Sequence, residues 1–258
     1  MSGVVTPAAQ RVVITRPADE AGPWQAALEQ HGLSTLLLPL IEVAGLPDLV
    51  PPPLAGFDAV MWVSGNAVRF FLPAVVAQWP SGLRCWAPGP GTAQALRAGG
   101  VPAHLIDEPA ADAPQFDSEA LWAVVAPQMA PGKRVLLVRG RSQGVAAASS
   151  GREWLLQQCA AVGAQVVTLP VYERRCPAWS AEEVTRAAAA AGDGSIWLFS
   201  SGEAVGHLQT LLPAQEWQHT LAVATHPRIA LALEKAGFVR VRTVRPTVQS
   251  VVEAVSAA

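Results

Sequence analysis

Short apolar runs recur along the chain at 12–15, 36–38, 59–64, 84–87 and 104–106, and again at 135–139, 166–169, 196–200, 221–224 and 239–244. Between them the apolar positions follow a helical period. Strands that read as continuous apolar runs, alternating with helices, predict α/β architecture with parallel sheets covered on both faces. Helix boundaries are marked as well. Pro17 suits a first helical position, Asp19 and Glu20 favour the N-terminal dipole, and Gly32 suits the residue after the last turn, so 11–32 predicts one βα unit. Helices at 93–98 and 229–236 end in the same way, at Gly99-Gly100 and Gly237.

The pattern is duplicated. Ser64-Gly65-Asn66-Ala67-Val68 returns as Ser201-Gly202-Glu203-Ala204-Val205, and Ala93, Leu96 and Gly100 return at the same offset as Ala230, Leu233 and Gly237. At shorter offsets, Gly32, Pro39 and Glu42 return as Gly163, Pro170 and Glu173, and 11–16 returns as 134–139. Two similar halves predict two domains and suggest one ligand held between them. Segments 39–44 and 170–176 interrupt the βα rhythm with proline and charge and are read as paired inter-domain linkers. We expect the first βα unit of each copy to dock on the rest of the other. That exchange gives one domain from 1–38 with 177–258 and a middle domain from 45–169. Residues 141–150, small and polar without an apolar period, predict a mobile loop.

Composition narrows the function. The 258 residues are 51% hydrophobic with a mean hydropathy of +0.28, yet Pro, Gly or charge interrupts every apolar run. None reaches the ~18 residues a membrane span needs. Residues 1–10 show no leader pattern, so a soluble, cytoplasmic protein is expected. A formal charge of −2 with scattered basic residues gives no field for nucleic acid, and we expect a monomer acting on a small molecule. Cys85, Cys159 and Cys176 lie far apart, which fits reduced thiols better than a disulfide framework or a metal site. No G-x-G-x-x-G and no Walker lysine occurs, which disfavours NAD and ATP.

Candidate chemistry gathers where strands end and helices begin, because such turns present unpaired N–H groups to anions. Ser64-Gly65-Asn66 and Ser200-Ser201-Gly202 occupy two such turns, where hydroxyls either bind a carboxylate or phosphate or simply cap the helix. Gly89-Pro90-Gly91-Thr92 is a third, whose glycines let the backbone approach a ligand. In the second half Thr225-His226-Pro227-Arg228 stands in its place, and His226 is either an anion ligand or a cap. Arg16 and Arg139 fall at equivalent strand ends, and Arg152 opens the helix after the predicted loop. Each arginine either clamps a carboxylate or pairs with a local acid. Tyr172, the only tyrosine, lies in a proposed linker and is either a packing residue or a neutral proton donor. No Ser-His-Asp order, catalytic carboxylate pair or metal cluster stands out, so a catalyst here would work largely by holding its substrate in a reactive conformation.

The order of these fragments resembles the uroporphyrinogen-III synthase family over 11–255. It runs Thr15-Arg16-Pro17, 39–42, Ser64-Gly65-Asn66-Ala67-Val68, 89–93, Asp117-Ser118-Glu119, Val138-Arg139-Gly140, Gly151-Arg152-Glu153, 170–174 and Phe199-Ser200-Ser201. The resemblance implies two α/β domains on a two-stranded linker, one built from both chain ends. It implies a cofactor-independent lyase of tetrapyrrole and heme biosynthesis that turns hydroxymethylbilane into uroporphyrinogen III, with loss of water and inversion of ring D. Departure of the A-ring hydroxyl gives an azafulvene, attack by the substituted D-ring position gives a spiro intermediate, and fragmentation allows closure in the inverted sense. Uncatalysed closure gives isomer I. Tyr172 matches the family tyrosine proposed to assist hydroxyl departure, and Thr92 matches a family threonine at the site. The chain departs from the family's Gly-Pro-Thr-like turn at 224–228. The competing reading is a two-lobed protein that binds an anionic ligand without chemistry.

Overall fold

Val12, Val13 and Ile14 have no solvent exposure, the burial expected of a strand covered on both faces. The computed structural model describes residues 10–257 apart from 111, 112, 114, 116 and 143–149, and apart from the side chains of 142 and 150–153. The chain begins with β1 (Arg11–Ile14), α1 (Ala18–Gln30), β2 (Ser34–Leu37) and β3 (Glu42–Gly45). It continues through β4 (Ala59–Trp62), α2 (Gly65–Val75), β5 (Arg84–Trp86), α3 (Pro90–Ala98), β6 (Ile106–Asp107) and α4 (Ser118–Val125). Next come β7 (Arg134–Ser142), α5 (Ser150–Ala161), β8 (Gln165–Arg175), α6 (Ala181–Gly192) and β9 (Ile196–Phe199). It ends with α7 (Gly202–Leu211), β10 (Leu221–Ala224), α8 (Pro227–Lys235), β11 (Arg240–Thr243) and α9 (Val248–Ser256).

These elements form two units, one of 1–42 with 175–258 and one of 43–174. Both breaks fall inside the segments read as linkers. The first unit carries a parallel sheet in the order β11-β10-β9-β1-β2. The second carries the order β3-β8-β7-β4-β5-β6. Matching the repeated segments aligns β2, β1, β9, β10 and β11 with β8, β7, β4, β5 and β6, while β3 corresponds to the end of β8.

Strand alternation sends side chains to opposite faces. In the second unit Val60, Trp62, Cys85, Leu136 and Val138 pack with Phe71, Leu72, Ala93 and Leu96 of α2 and α3. The intervening Met61, Trp86, Val135 and Leu137 pack with Leu121 and Val125 of α4 and with Leu155 and Cys159 of α5. In the first unit Val12, Ile14, Ile196, Leu198 and Val223 meet Ala21 and Leu28 of α1 and Val251 and Val255 of α9. Trp197, Phe199, Trp217 and Phe238 form a separate aromatic group there, with ring centroids 4.9–6.2 Å apart. A large apolar side chain fully removed from water contributes about 1.5–3 kcal/mol.

Two local expectations are corrected. Pro17 precedes the first helical residue of α1 instead of occupying it, with extended ψ of 143°. The run at 104–106 is a single 3-10 turn leading into β6, because Pro102 sets the turn and only Ile106 and Asp107 join the sheet. Residues 170–175 of the second linker segment are strand. They prolong β8 between β3 and β7, and Pro170 is accommodated next to a bulge: Arg139 pairs with Pro170 and Gly140 with Tyr172, which leaves Val171 as the extra residue. Among the described residues no helix is long and apolar enough to cross a membrane.

Candidate functional site

Strands β1, β2 and β9 to β11 run parallel, as do β4 to β8, so the turns into α2 and α3, and those into α1, α7 and α8, leave from the carboxyl edge of their own sheet. In the second unit Ser64 follows β4 with an extended backbone, and its Oγ accepts from the N–H of Ala67 at 3.2 Å. The same Oγ lies 3.1 Å from Oη of Tyr172. Ser64 is thus a cap and also a partner of the phenol. Asn66 is half-buried at the second position of α2. Tyr172 is 5% exposed, its ring packed against Phe70 at 5.8 Å and against the backbone of Gly140. Tyr172 is thus a packed residue whose hydroxyl has a polar partner.

Gly89 caps α3 in extended conformation, and a Cβ added to Gly91 would meet open space. The N-terminus of α3 is thus accessible to an anion, while Thr92 is buried beneath it. Arg139 is not at a strand end. β7 runs on past it to Ser142 because β8 continues alongside, and Arg139 Nε donates to its neighbour's carbonyl, Gly140 O, at 3.1 Å. Arg141 and Ser142, read as part of a loop, are strand residues paired with Glu173 and Arg174. Arg141 also donates to the Glu173 carboxylate at 3.1 Å. The rest of that predicted loop, 143–149, and the side chain of Arg152 lie outside the described residues.

In the first unit Thr15 Oγ1 donates to Leu198 O at 2.7 Å, which ties the end of β1 to β9. Arg16 follows, with its guanidinium 4.4 Å from the Trp24 ring centroid and 3.7 Å from Glu20. Its Nε is buried without a hydrogen-bond partner among the described residues. Burial lowers its pKa and Glu20 partly opposes that. A stacked guanidinium with unused donor capacity can accept a carboxylate. Ser201 begins α7 but its side chain makes no capping bond, unlike Ser64, and Ser200 beside it is half-buried. His226 is a cap: Nδ1 accepts from Arg228 N–H at 3.0 Å, which leaves Nε2 to donate outward, and both side chains are exposed.

Two polar cavities, of about 580 and 250 Å³, sit at the amino ends of the strands. Asp58, Arg84 and Lys133 line one, and Ser195, Thr220 and Arg240 the other. In the larger, Lys133 already pairs with Asp58 and Arg84 with Asp107. Neither cavity receives a repeated motif. Burial pushes the Cys85 thiol up to about 12 and the Cys159 thiol up to about 11, so neither is a nucleophile. Among the described residues no group of three or more His, Cys, Asp or Glu is placed to hold a metal ion. Sequence reasoning missed Phe70 and Gly140 as partners of Tyr172. The signal, a glycine opposite an aromatic on the next strand, requires the register of β7 on β8.

A family model described as uroporphyrinogen-III synthase HemD matches residues 22–253. The chain is 29% identical over 234 residues to a uroporphyrinogen-III synthase of Chlorobaculum parvum, covering 88% of this chain and 89% of that one. It is 31% identical over 179 residues to one of Synechococcus elongatus, covering 64% and 61%. Among solved structures, uroporphyrinogen-III synthetase from Helicobacter pylori aligns with a TM-score of 0.62 at 18% identity, covering 96% of this chain and 100% of that one. A mutant uroporphyrinogen III synthase from Thermus thermophilus aligns with a TM-score of 0.52 at 20% identity, covering 96% and 98%. At these identities the structural likeness carries the fold alone.

Proposed function

We infer that this chain, which belongs to the uroporphyrinogen-III synthase family, cyclises hydroxymethylbilane to uroporphyrinogen III with inversion of ring D and loss of water. The observation that carries this reading is the family match across 22–253. The chemistry asks for two things. The A-ring hydroxyl leaves as water only if it gains a proton, and the flexible azafulvene must be held so that the substituted D-ring position attacks first. We assign the proton to Tyr172, whose hydroxyl lies beside Ser64 at the carboxyl edge of its sheet. A positioned general acid contributes roughly 10²–10⁴-fold.

Holding falls to groups that bind the substrate's acetates and propionates. In the second unit these are the N-termini of α2 and α3 with Asn66, Gly91 and Thr92, together with Arg139 and Arg152, while Ser64 stands beside Tyr172. In the first unit they are Arg16, Ser200, Ser201, His226 and Arg228. The open space at Gly91 and the unused donors of Arg16 and Ser201 support this set. Such fixation can remove on the order of 7–11 kcal/mol of barrier in favourable cases. The reading includes a monomer acting in the cytoplasm, without nucleic-acid or membrane partners.

The test supplies freshly generated hydroxymethylbilane to the purified protein, quenches early, oxidises, and resolves porphyrin isomers by chromatography. Isomer III above the protein-free control is expected. Isomer I alone from folded protein would leave the non-catalytic binding reading in its place.

A further inference from the structure

Tyr172 is held by two neighbours whose chemistry differs. On β7, Gly140 lies opposite it in register, immediately after the bulge. A Cβ at Gly140 would stand 2.3 Å from Cε2 and 2.4 Å from Cζ of the phenol, closer than any real contact, so the ring lies on the bare backbone of the next strand. Aromatic rings cover glycines in this way across strand pairs. The neighbour on the other strand repeats the device: a Cβ at Gly45 of β3 would meet the Phe70 ring at 2.9 Å, and Phe70 in turn stacks on Tyr172 with ring planes 27° apart. The phenol thus has a fixed seat, and its oxygen is directed to Ser64.

Ser64 has one O–H and two lone pairs. The Ala67 N–H takes one lone pair at 3.2 Å. Across the 3.1 Å between Ser64 Oγ and Tyr172 Oη either hydroxyl can donate, and with Ser64 donating, the phenol keeps its own O–H for the substrate. That capping bond comes from the positive end of α2, which polarises the serine hydroxyl as a donor.

We propose that Gly140 and Ser64 are positioning residues for Tyr172: Gly140 seats the ring, and Ser64 donates its O–H to the phenolate formed when Tyr172 protonates the departing hydroxyl. The inference rests on the reading of Tyr172 as the proton donor. In the step, the Tyr172 O–H bond breaks, its proton passes to the A-ring hydroxyl oxygen, the C–O bond breaks and water leaves. The proton that the substrate loses on ring closure restores the phenol. Ser64 then acts through Tyr172 and not on a substrate carboxylate, so its removal changes kcat and spares KM.

Because Tyr172 is the only tyrosine, the full-length protein labelled with ¹³Cζ-tyrosine gives a single resonance that reports this oxygen. Ser64→Ala is expected to move that resonance and lower kcat about tenfold, the loss of one hydrogen bond to a charged group, with KM within about twofold. Ser64→Thr, which keeps the hydroxyl, is expected to stay within about threefold of the parent kcat. Gly140→Ala is expected to move the resonance and lower kcat at least as far. In a Tyr172→Phe background, Ser64→Ala is expected to change kcat by less than about twofold. A full tenfold further loss in that background, or a resonance unmoved by both variants, overturns the proposal while leaving Tyr172 as the donor. Tyr172→Phe with the parent kcat overturns the donor reading and this proposal with it.

Discussion

Single residues in this fold matter most where a charge or hydroxyl is tied to the backbone of another strand. Asp58, just before β4, receives the Lys133 ammonium on one oxygen and the Arg134 N–H on the other, each at 2.8 Å. The Lys133 hydrogen bond first, then that N–H, hold its carboxyl below the usual carboxylate range against the opposing effect of burial. A folded value below the unfolded one, about 3.9, means the stabilisation is complete above that pH and fades as pH falls through the folded value. Because the side chain is 38% exposed, water screens the pair and the contribution is small. Asp58→Asn, which keeps an oxygen for Arg134, is expected to lose about 0.5–1 kcal/mol at pH 7 and progressively less as pH falls below about 3.9. Urea unfolding across that range checks it, and a difference that does not change with pH would show that shape, not charge, is responsible.

At the scale of elements, helix starts divide into those completed by their own side chain and those that are not. Ser180 and Glu183 form a reciprocal capping box on α6, whereas Ser201 leaves α7 without a side-chain cap. Ser180→Ala is therefore expected to cost about 1 kcal/mol of stability and Ser201→Ala less than about 0.3, while only Ser201→Ala raises KM for hydroxymethylbilane several-fold. Equal stability losses, with no change in KM, would make Ser201 an ordinary cap. The sequence could not separate these serines, since both stand before a helix and the difference lies in side-chain rotation. Strands were legible for a better reason. Runs such as 59–62 and 196–199 are buried on both faces and carry no polar residue, and Gly100 and Gly237 have φ of +93° and +99° after matching helices. β3 and the end of β8 were legible only through the family resemblance, because Glu42, Glu173 and Arg175 break the apolar pattern and their pairing joins residues far apart in sequence. Arg139 was misplaced for that reason, and Gly140 was overlooked as a site neighbour because only the bulge brings it beneath Tyr172.

For the whole molecule, duplication and sheet order together determine which pieces can stand alone. The second unit is continuous from Val43 to Arg174, and its strands β4 to β7 lose no neighbour when the rest of the chain is removed. The first unit depends on both chain ends, because β1 sits between β9 and β2. Removing 1–42 takes away Val12, Val13 and Ile14, all at 0% exposure, and uncovers Ile196 and Leu198. Three such side chains contribute on the order of 5–9 kcal/mol, comparable with the ~5–15 kcal/mol that stabilises a whole domain. A fragment of 43–174 is accordingly expected to unfold in urea as one cooperative transition with near-ultraviolet dichroism, and a fragment of 175–258 to show neither. Adding a peptide of residues 1–42 to the latter should restore cooperativity, since it supplies β1 and β2, the two strands missing beside β9. Cooperative unfolding of 175–258 alone would mean that β9, β10 and β11 with their helices already form a sufficient core, and that β1 and β2 are dispensable to it.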